Sequence, residues 1–219
     1  MKKASALPEI ILDIIAIAFV FLLPHFGLIP FPFFYIVPVL AFIWIYLKKS
    51  SETFASIYFS LANFQLTTVA VGAAAACILF FLLSHVLFPL LSQLVHLRAA
   101  NLADFRKVRG HFLTYCAYLI AGLVVGGFYE EVVFHGFIYT RFRKIITGKN
   151  AAAVAFGVTN LLFGLYHFQQ GPSGIITAFI AGCAYQGLML QFGRNLWYAI
   201  FFHAFFDAIG LTYIYLGYW

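Results

Sequence analysis

Long hydrophobic runs, separated by short polar or proline-containing turns, are the main pattern along the chain. A membrane-spanning helix needs roughly 20 mostly apolar residues. Seven segments fit this requirement, with approximate limits of 8–24, 31–47, 68–95, 111–129, 151–168, 174–192 and 195–216. The pattern therefore predicts an all-α fold, a polytopic transmembrane helical bundle of about seven or eight spans.

The stretch 48–66 decides between seven and eight spans. It begins with Lys48 and Lys49 and continues as an aromatic, partly polar sequence that includes Asn63 and Gln65. This composition is typical of a helix that lies in the membrane interface. The stretch would be an eighth span if its apolar part reached further into the bilayer.

Composition indicates that lipid is the solvent for most of the chain. Of its 219 residues 64% are hydrophobic and 9% are charged, whereas a soluble domain has about 45–50% apolar and about 25% charged residues. Mean hydropathy is +0.97. Since no water-soluble fold of this length hides so much apolar surface, residues 1–219 are predicted to form a single membrane domain.

The net charge of +6 comes from short basic clusters between the hydrophobic runs. Such clusters set the orientation of a protein in the membrane and contact anionic headgroups, so they predict membrane lipid, and no nucleic acid, as a partner. With Lys2 and Lys3 in the cytoplasm, the clusters 48–49 and 141–149 also fall on the cytoplasmic side. The basic loop 98–109 falls on the opposite side, which indicates either an eighth span before it or a loop lying against the membrane. The N-terminus is thus predicted to be cytoplasmic.

Ionisable side chains inside apolar segments mark the C-terminal half. A charged group at the bilayer centre costs about 2.5–3.5 kcal/mol on insertion scales, so such residues face the bundle interior, find partners and indicate function. Six side chains in or beside the predicted spans are of this kind: Glu130, Glu131, His135, His167, His203 and Asp207. They predict an active site inside the bundle.

The spacing of these residues predicts two of their contacts. Glu131 and His135 are four residues apart, as are His203 and Asp207, so each pair lies on one helix face. Asp207 is therefore expected to accept a hydrogen bond from His203 and to fix its tautomer. The remaining histidines lie at segment ends or alone and are interpreted as having no catalytic role: His25, His85, His96 and His111.

Three short motifs carry a family resemblance. The sequences EEVVFHG at 130–136, FGLYH at 163–167 and HAFFD at 203–207 resemble the motifs EExxxR, FxxxH and HxxxN/D. In this order they are similar to those of the CPBP (CAAX protease and bacteriocin-processing, Abi) intramembrane proteases, a group that includes the type II CAAX prenyl endopeptidases. The resemblance covers about residues 98–210, a CPBP-like catalytic core, and leaves 1–97 as N-terminal spans of generic hydrophobic character.

The resemblance implies a role for each residue of the site. Glu130 resembles the carboxylate that activates water, and His167 resembles the histidine that helps to orient and deprotonate that water. The pair His203 and Asp207 resembles the group that stabilises the oxyanion.

One position departs from the family pattern. Glu131 resembles a structural partner of the family's arginine, but the arginine position holds His135 in this chain. Histidine loses its charge within the physiological pH range, so the departure implies lower activity or sensitivity to pH. The supporting Phe163, at the start of the second motif, matches the family.

The implied activity is that of an intramembrane endopeptidase. Because no serine or cysteine is paired with these histidines, we expect water activated by Glu and His to hydrolyse a peptide bond of a membrane-associated or prenylated substrate. The alternative is a non-catalytic CPBP-like membrane protein with an immunity or scaffold role. A transporter is disfavoured, since no matched pair of broken helices is present. The resemblance further implies an integral, multi-pass protein of the plasma (inner) membrane of a prokaryote.

The use of a metal has two interpretations. Glu130, His167 and His203 can form a His₂Glu zinc site with an open position for water. The HExxH sequence typical of zinc peptidases does not occur in the chain. The expectation is therefore that no metal is obligatory, with Zn²⁺ as the alternative.

Overall fold

The computed structural model describes residues 7–27 and 33–218, and in these ranges it consists of helices joined by turns and loops, without a β-strand. The prediction that involves Lys2 and Lys3 lies outside these ranges. Each of the seven predicted segments contains one helix. In chain order the helices are α1 (Leu7–Leu22), α2 (Ile36–Lys49), α3 (Leu66–Val95), α4 (Phe112–Ile145), α5 (Ala151–Tyr166), α6 (Gly171–Gln191) and α7 (Leu196–Leu216).

Five helices of the described ranges are long and apolar enough to cross a membrane. They are α3, α4 and α7, together with α1 and α6 once their adjoining 3₁₀ turns are included. The other two, α2 with 14 residues and α5 with 16, are shorter and complete the bundle. The chain is an integral membrane protein with an all-α fold, as its hydrophobic pattern predicts.

The prediction of a helix across 48–66 is wrong. The structure has two short 3₁₀ turns here, Phe54–Ile57 and Leu61–Asn63, and no eighth span in the ranges that it describes. Tyr58 ends the first turn with a left-handed backbone (φ 70°) and its carbonyl accepts the backbone N–H of Leu196 at 3.1 Å. The segment therefore packs against the start of α7, and its polar groups bond to the protein.

Helix α4 is longer than predicted, because it extends from Phe112 to Ile145 where the hydrophobic run predicted an end near 129. The helix continues because the ionisable side chains after this point contact one another inside the protein. Two stretches of α4, Gly122–Glu130 and Val132–Ile138, are π-helical. Stretches of π-helix inside longer helices often occur at functional sites.

Helix α7 is the centre of the bundle and packs closely on α3 and α4. A Cβ atom added to Gly72 would lie 2.8 Å from Cβ of Phe201, and one added to Gly127 would lie 2.7 Å from Cβ of Ala204. Glycine is thus required at both crossings, since any side chain would push the helices apart. The crossing at Gly127 holds the first predicted motif against the third.

Buried charges tie α1 and α2 to α4 at one end of the bundle. Arg141, which is 1% exposed, lies with Nη2 at 2.5 Å from Oε2 of Glu52 and with Nη1 at 3.6 Å from Oδ1 of Asp13. Tyr46 donates to Asp13 at 2.7 Å, and Lys144 also pairs with Glu52. Arg141 is thus a core residue, where the sequence pattern had placed it in a basic loop.

The basic loop 98–109 lies at the other end of the bundle. The backbone N–H of Asn101 donates to the carbonyl of Gln170 at 2.9 Å, and that of Gly110 donates to Tyr215 at 3.0 Å. This end is opposite to the one that holds Glu52 and Lys144. Of the two interpretations of this loop, the one with a preceding eighth span is not found in the described ranges.

Candidate active site

Glu131 is the centre of a fully buried hydrogen-bond network. Its Oε2 lies 2.5 Å from Nδ1 of His135, one turn along α4, and its Oε1 lies 2.9 Å from Nδ1 of His203 on α7. Glu131 and His135 are 0% exposed and His203 is 4% exposed. The carboxylate thus holds both imidazole rings, and the contact predicted from the spacing of Glu131 and His135 is present.

Glu130, the preceding residue on α4, meets two histidines at longer distances. Its Oε2 lies 3.7 Å from Nε2 of His167 and 4.0 Å from Nε2 of His203. This oxygen is buried and has no hydrogen-bond partner among the described residues. Distances of this size are too long for a direct hydrogen bond and suit one water molecule between the groups.

The Nδ1 atoms of His167 and His203 are each held by a hydrogen bond. Nδ1 of His167 faces the carbonyl oxygen of Phe163 at 2.9 Å, and a carbonyl only accepts, so this nitrogen carries the proton. Nδ1 of His203 donates to Glu131. Both rings therefore direct Nε2 toward Glu130.

Asp207 occupies a different place from the one that its spacing predicts. Its Oδ2 lies 3.7 Å from Nε2 of His203, beyond hydrogen-bond distance, and its side chain is partly exposed. Glu131, not Asp207, bonds Nδ1 and fixes the His203 tautomer. The expectation that Asp207 does so is wrong, because the closest approach of α4 and α7 brings the Glu131 carboxylate nearer to the ring.

Aromatic side chains fix the orientation of these rings. Phe163 packs edge-on against His167 and His203, with centroids 5.0 and 5.8 Å apart. Tyr185 of α6 stacks on His203 with centroids 4.6 Å apart and an angle of 21° between the rings. Phe163 thus has the supporting position that the sequence predicts, whereas Tyr185 was not identified from the sequence.

The predicted residues surround one cavity of about 850 Å³. Glu130, His167, His203 and Asp207 line it, while Glu131 and His135 lie behind its wall. The volume is within the range of about 300–1,000 Å³ typical of small-molecule and cofactor sites. The cavity lies inside the bundle and extends to the end that carries the loop 98–109.

Two histidines that were interpreted as having no role also line this cavity. His25 packs edge-on against Tyr166 with centroids 4.7 Å apart, and its Nδ1 lies 3.1 Å from the carbonyl of Phe21. His85 stacks on Phe81 with centroids 4.9 Å apart. Only the fold brings these residues to the site, since neither has a polar neighbour at helical spacing. His96 and His111 do not line the cavity and are exposed.

Asn160 and Gln186 are further buried polar residues behind the site. Asn160 lies three residues before Phe163 and seven before His167, on the same face of α5. Both amide side chains are 0% exposed. A polar amide at this spacing from the FxxxH motif is the sequence signal that could have identified Asn160.

Three side chains of the site carry atoms that can bind a metal ion. The Nε2 atoms of His167 and His203 and a Glu130 oxygen are zinc ligand types, and each ring is anchored through Nδ1 as in known zinc sites. However, no group of three or more His, Cys, Asp or Glu side chains in the described ranges has a geometry that could hold a metal ion. The residues as arranged do not fit a metal.

Comparison with known proteins agrees with the three motifs. Residues 112–209 match the family model described as type II CAAX prenyl endopeptidase Rce1-like. The match contains all three motifs and confirms the resemblance that they carry. No curated protein and no solved structure matches the chain significantly.

Proposed function

We propose, from the match of residues 112–209 to the family model described as type II CAAX prenyl endopeptidase Rce1-like, that the protein is an intramembrane endopeptidase. In this proposal it hydrolyses a peptide bond of a membrane-associated or prenylated polypeptide with a water molecule activated by Glu130 and His167. The observation that carries the proposal is the position of Glu130 Oε2, which faces Nε2 of His167 and of His203 at the cavity wall.

The first step is attack by water on the peptide carbonyl carbon. A water molecule between Glu130 and His167 can donate one hydrogen bond to each, because Nε2 of His167 carries a lone pair when Nδ1 bonds Phe163. Glu130 takes a proton as the water oxygen bonds to the carbon. The product of this step is a tetrahedral intermediate with a negatively charged oxygen.

The second step breaks the carbon–nitrogen bond. In this step His203 is doubly protonated: Nδ1 donates to Glu131, and Nε2 faces the carboxylates of Glu130 and Asp207. Its Nε2 N–H donates to the oxyanion, and a donor of this kind contributes about 3–4 kcal/mol to transition-state stabilisation. Glu130 then transfers its proton to the leaving nitrogen. The peptide bond and one water molecule are thereby converted into a carboxyl group and an amine, and Glu130 returns to its ionised form.

Two features support a substrate that comes from the membrane. The cavity is walled by aromatic and aliphatic side chains, among them Phe80, Phe88 and Phe206, and it lies between helices that are long enough to cross a bilayer. An apolar cavity with a few polar groups binds an apolar segment and orients one peptide bond within it.

The proposal routes no step through a metal. Within the described ranges no three His, Cys, Asp or Glu side chains gather around a point that could hold an ion, and the proposal assigns the activation of water to Glu130 and His167. The reason to consider a non-catalytic role is that His135 replaces the arginine of the family pattern. Its contact of 2.5 Å with Glu131 weakens that ground, because His135 occupies the partner position.

The test is cleavage of a library of membrane peptides by the purified full-length protein in lipid vesicles, with products identified by mass. We expect one or more peptides to be cut at an internal bond by the wild type and not by Glu130→Gln. Cleavage at the same rate by both proteins, or by neither, would contradict the proposal. His111→Gln is a control for the substitution procedure, since His111 is exposed and lies away from the cavity.

A further inference from the structure

Asn160 connects the buried histidine of the first motif to α5 and α6. Its Oδ1 lies 3.2 Å from Nε2 of His135, and its Nδ2 donates to the carbonyl of Phe156 at 2.9 Å and to Oε1 of Gln186 at 2.6 Å. All of its polar atoms are thus bonded inside the protein. A chain of hydrogen bonds runs from Glu131 through His135 and Asn160 to Gln186.

The Phe156 carbonyl determines which way the Asn160 amide points. A carbonyl oxygen only accepts, so the amide atom that faces it is the nitrogen. The atom that faces His135 is therefore the oxygen, which also only accepts. Nε2 of His135 must carry a proton to bond to it.

The other nitrogen of His135 also faces an acceptor. Nδ1 lies 2.5 Å from Oε2 of Glu131, which is the distance of a strong charge-assisted hydrogen bond. Among the residues that the structure describes, the one further aromatic contact of the ring is with Phe163, at a centroid distance of 5.3 Å. The titratable group in contact with His135 is Glu131 on α4. His203 on α7 lies beyond Glu131, with Glu130 and Asp207 beyond His203, whereas α5 and α6 contribute neutral amides.

We propose that Asn160, supported by Gln186, holds His135 as a doubly protonated imidazolium, so that His135 acts as a fixed cation toward Glu131. Removal of either ring proton would leave a nitrogen lone pair against an oxygen lone pair in a buried site. Such an unsatisfied arrangement has the full cost of a lost buried hydrogen bond. Asn160 thereby removes the pH sensitivity that the replacement of arginine by histidine would otherwise bring.

The protonation of His135 affects the cavity through Glu131. A Glu131 carboxylate that is neutralised on one side by His135 still accepts from Nδ1 of His203 on the other. This bond aims Nε2 of His203 at Glu130 and at the bound substrate. Asn160 is therefore a positioning residue, and only this last step rests on the proposed function.

Two substitutions of Asn160 form a matched pair of test variants because of its contact with Gln186. Its Oε1 accepts from Asn160, while its Nε2 has no hydrogen-bond partner in the part of the chain that the structure describes. In Asn160→Asp the oxygen facing His135 is kept, while the second oxygen loses the bond to the Phe156 carbonyl, and the Gln186 amide can turn its nitrogen toward that oxygen. In Asn160→Leu the volume is similar but the acceptor is lost.

The experiment is ¹⁵N NMR of the full-length protein in detergent micelles, with ¹⁵N-labelled histidine. The chain has 7 histidines, so the His135 signals can be assigned by their loss in His135→Arg. Wild type and Asn160→Asp are expected to show both His135 nitrogens protonated from about pH 5.5 to 9, a range that begins below the ordinary histidine pKa of about 6.5 and extends well above it. Asn160→Leu is expected to lose one proton within this range.

Two results would overturn the inference: a singly protonated His135 in the wild type at pH 7, or identical titration of the wild type and Asn160→Leu. If Asn160→Leu does not fold, Asn160→Ala, which also removes the acceptor facing Nε2 of His135, takes its place with the same expectation. The signal does not depend on turnover, so an inactive protein with a doubly protonated His135 would contradict the proposed function alone. In an active protein, Asn160→Leu should lower kcat on the order of 10-fold with little change in KM, and Asn160→Asp should restore it.

Discussion

Nδ1 of His203 donates a hydrogen bond of 2.9 Å to Oε1 of Glu131, and this bond joins the first of the three motifs to the third. The other oxygen of the carboxylate is bonded to His135. Glu130, the preceding residue, instead faces the cavity with an oxygen that has no hydrogen-bond partner within the described ranges. Two consecutive glutamates thus lie in different environments, one bonded on both sides and one directed at the site of reaction.

This difference gives the first prediction, a contrast between Glu131→Gln and Glu130→Gln. Glu131→Gln removes a buried charge that two histidines share, and breaking a buried pair of this kind costs about 3–5 kcal/mol of folding stability. Glu130→Gln breaks no hydrogen bond to Oε2, so a cost below about 1 kcal/mol is expected. Thermal unfolding of both variants in the same detergent measures the difference. An equal decrease in Tm for the two variants would contradict the assignment of Glu131 as the structural member.

The second prediction concerns His167 and an exposed histidine. His167→Ala removes the group that helps Glu130 to deprotonate water, and general acid–base groups contribute about 10²–10⁴-fold to rate. The rate of peptide cleavage should fall by an amount in this range. His111→Ala, at an exposed position away from the cavity, should keep the wild-type rate. A retained rate in His167→Ala would remove His167 from the mechanism. His25→Ala is not a suitable control, since His25 lines the cavity.

The third prediction concerns the buried charges around Arg141. Burial acts to raise the pKa of Glu52, but hydrogen bonds and charge from Arg141 and Lys144 outweigh burial and lower this pKa below its ordinary value of 4.5. The stability that Glu52 contributes is therefore fully present above pH 4.5 and is lost as the pH falls through the lowered pKa.

We expect the Tm of the wild type to fall with pH below about 4.5, and the Tm of Glu52→Gln to depend less on pH in the same range. Lys149→Gln, an exposed change of charge at the same end of the bundle, is a control and should follow the wild type. Parallel curves for Glu52→Gln and the wild type would show that the Arg141 pair does not contribute to stability.

The fourth prediction concerns metals. Because the mechanism passes through no ion, cleavage should continue after treatment with a zinc chelator and dialysis, with less than about a two-fold loss of rate, whereas catalytic zinc supplies several kcal/mol that its removal would abolish. Metal content measured by mass spectrometry on the same sample serves as the control for removal. Loss of activity that added Zn²⁺ restores would contradict the assignment and favour the His₂Glu alternative.

The hydrophobic pattern predicted the number and approximate place of the helices, because the length of an apolar run is set directly by bilayer thickness. It was wrong at the end of α4, since ionisable residues were counted as breaks in the run. Arg141 shows why: its charge is neutralised inside the bundle by Glu52 and Asp13, which lie 89 and 128 positions earlier in the chain. Spacing along one helix does not reveal partners on another.

The sequence predicted which ionisable residues meet inside the bundle, but not all of their contacts. Spacing within one helix gave the contact between Glu131 and His135 correctly, because residues four apart share a face. It gave the wrong partner for Nδ1 of His203, since the crossing of α4 and α7 at Gly127 decides that contact. Asn160 was not identified from the sequence, where a single amide in an apolar helix most often indicates a contact between helices.

The most direct test of the account is the ratio of kcat for wild type and Glu130→Gln on a peptide that the wild type cleaves. Glutamine keeps the shape of the side chain and cannot take a proton from water, so a decrease of at least about 10²-fold is expected, with KM nearly unchanged and the Tm preserved. Wild-type turnover by Glu130→Gln, in a preparation free of other peptidases, would show that Glu130 is not the base and would contradict the central claim.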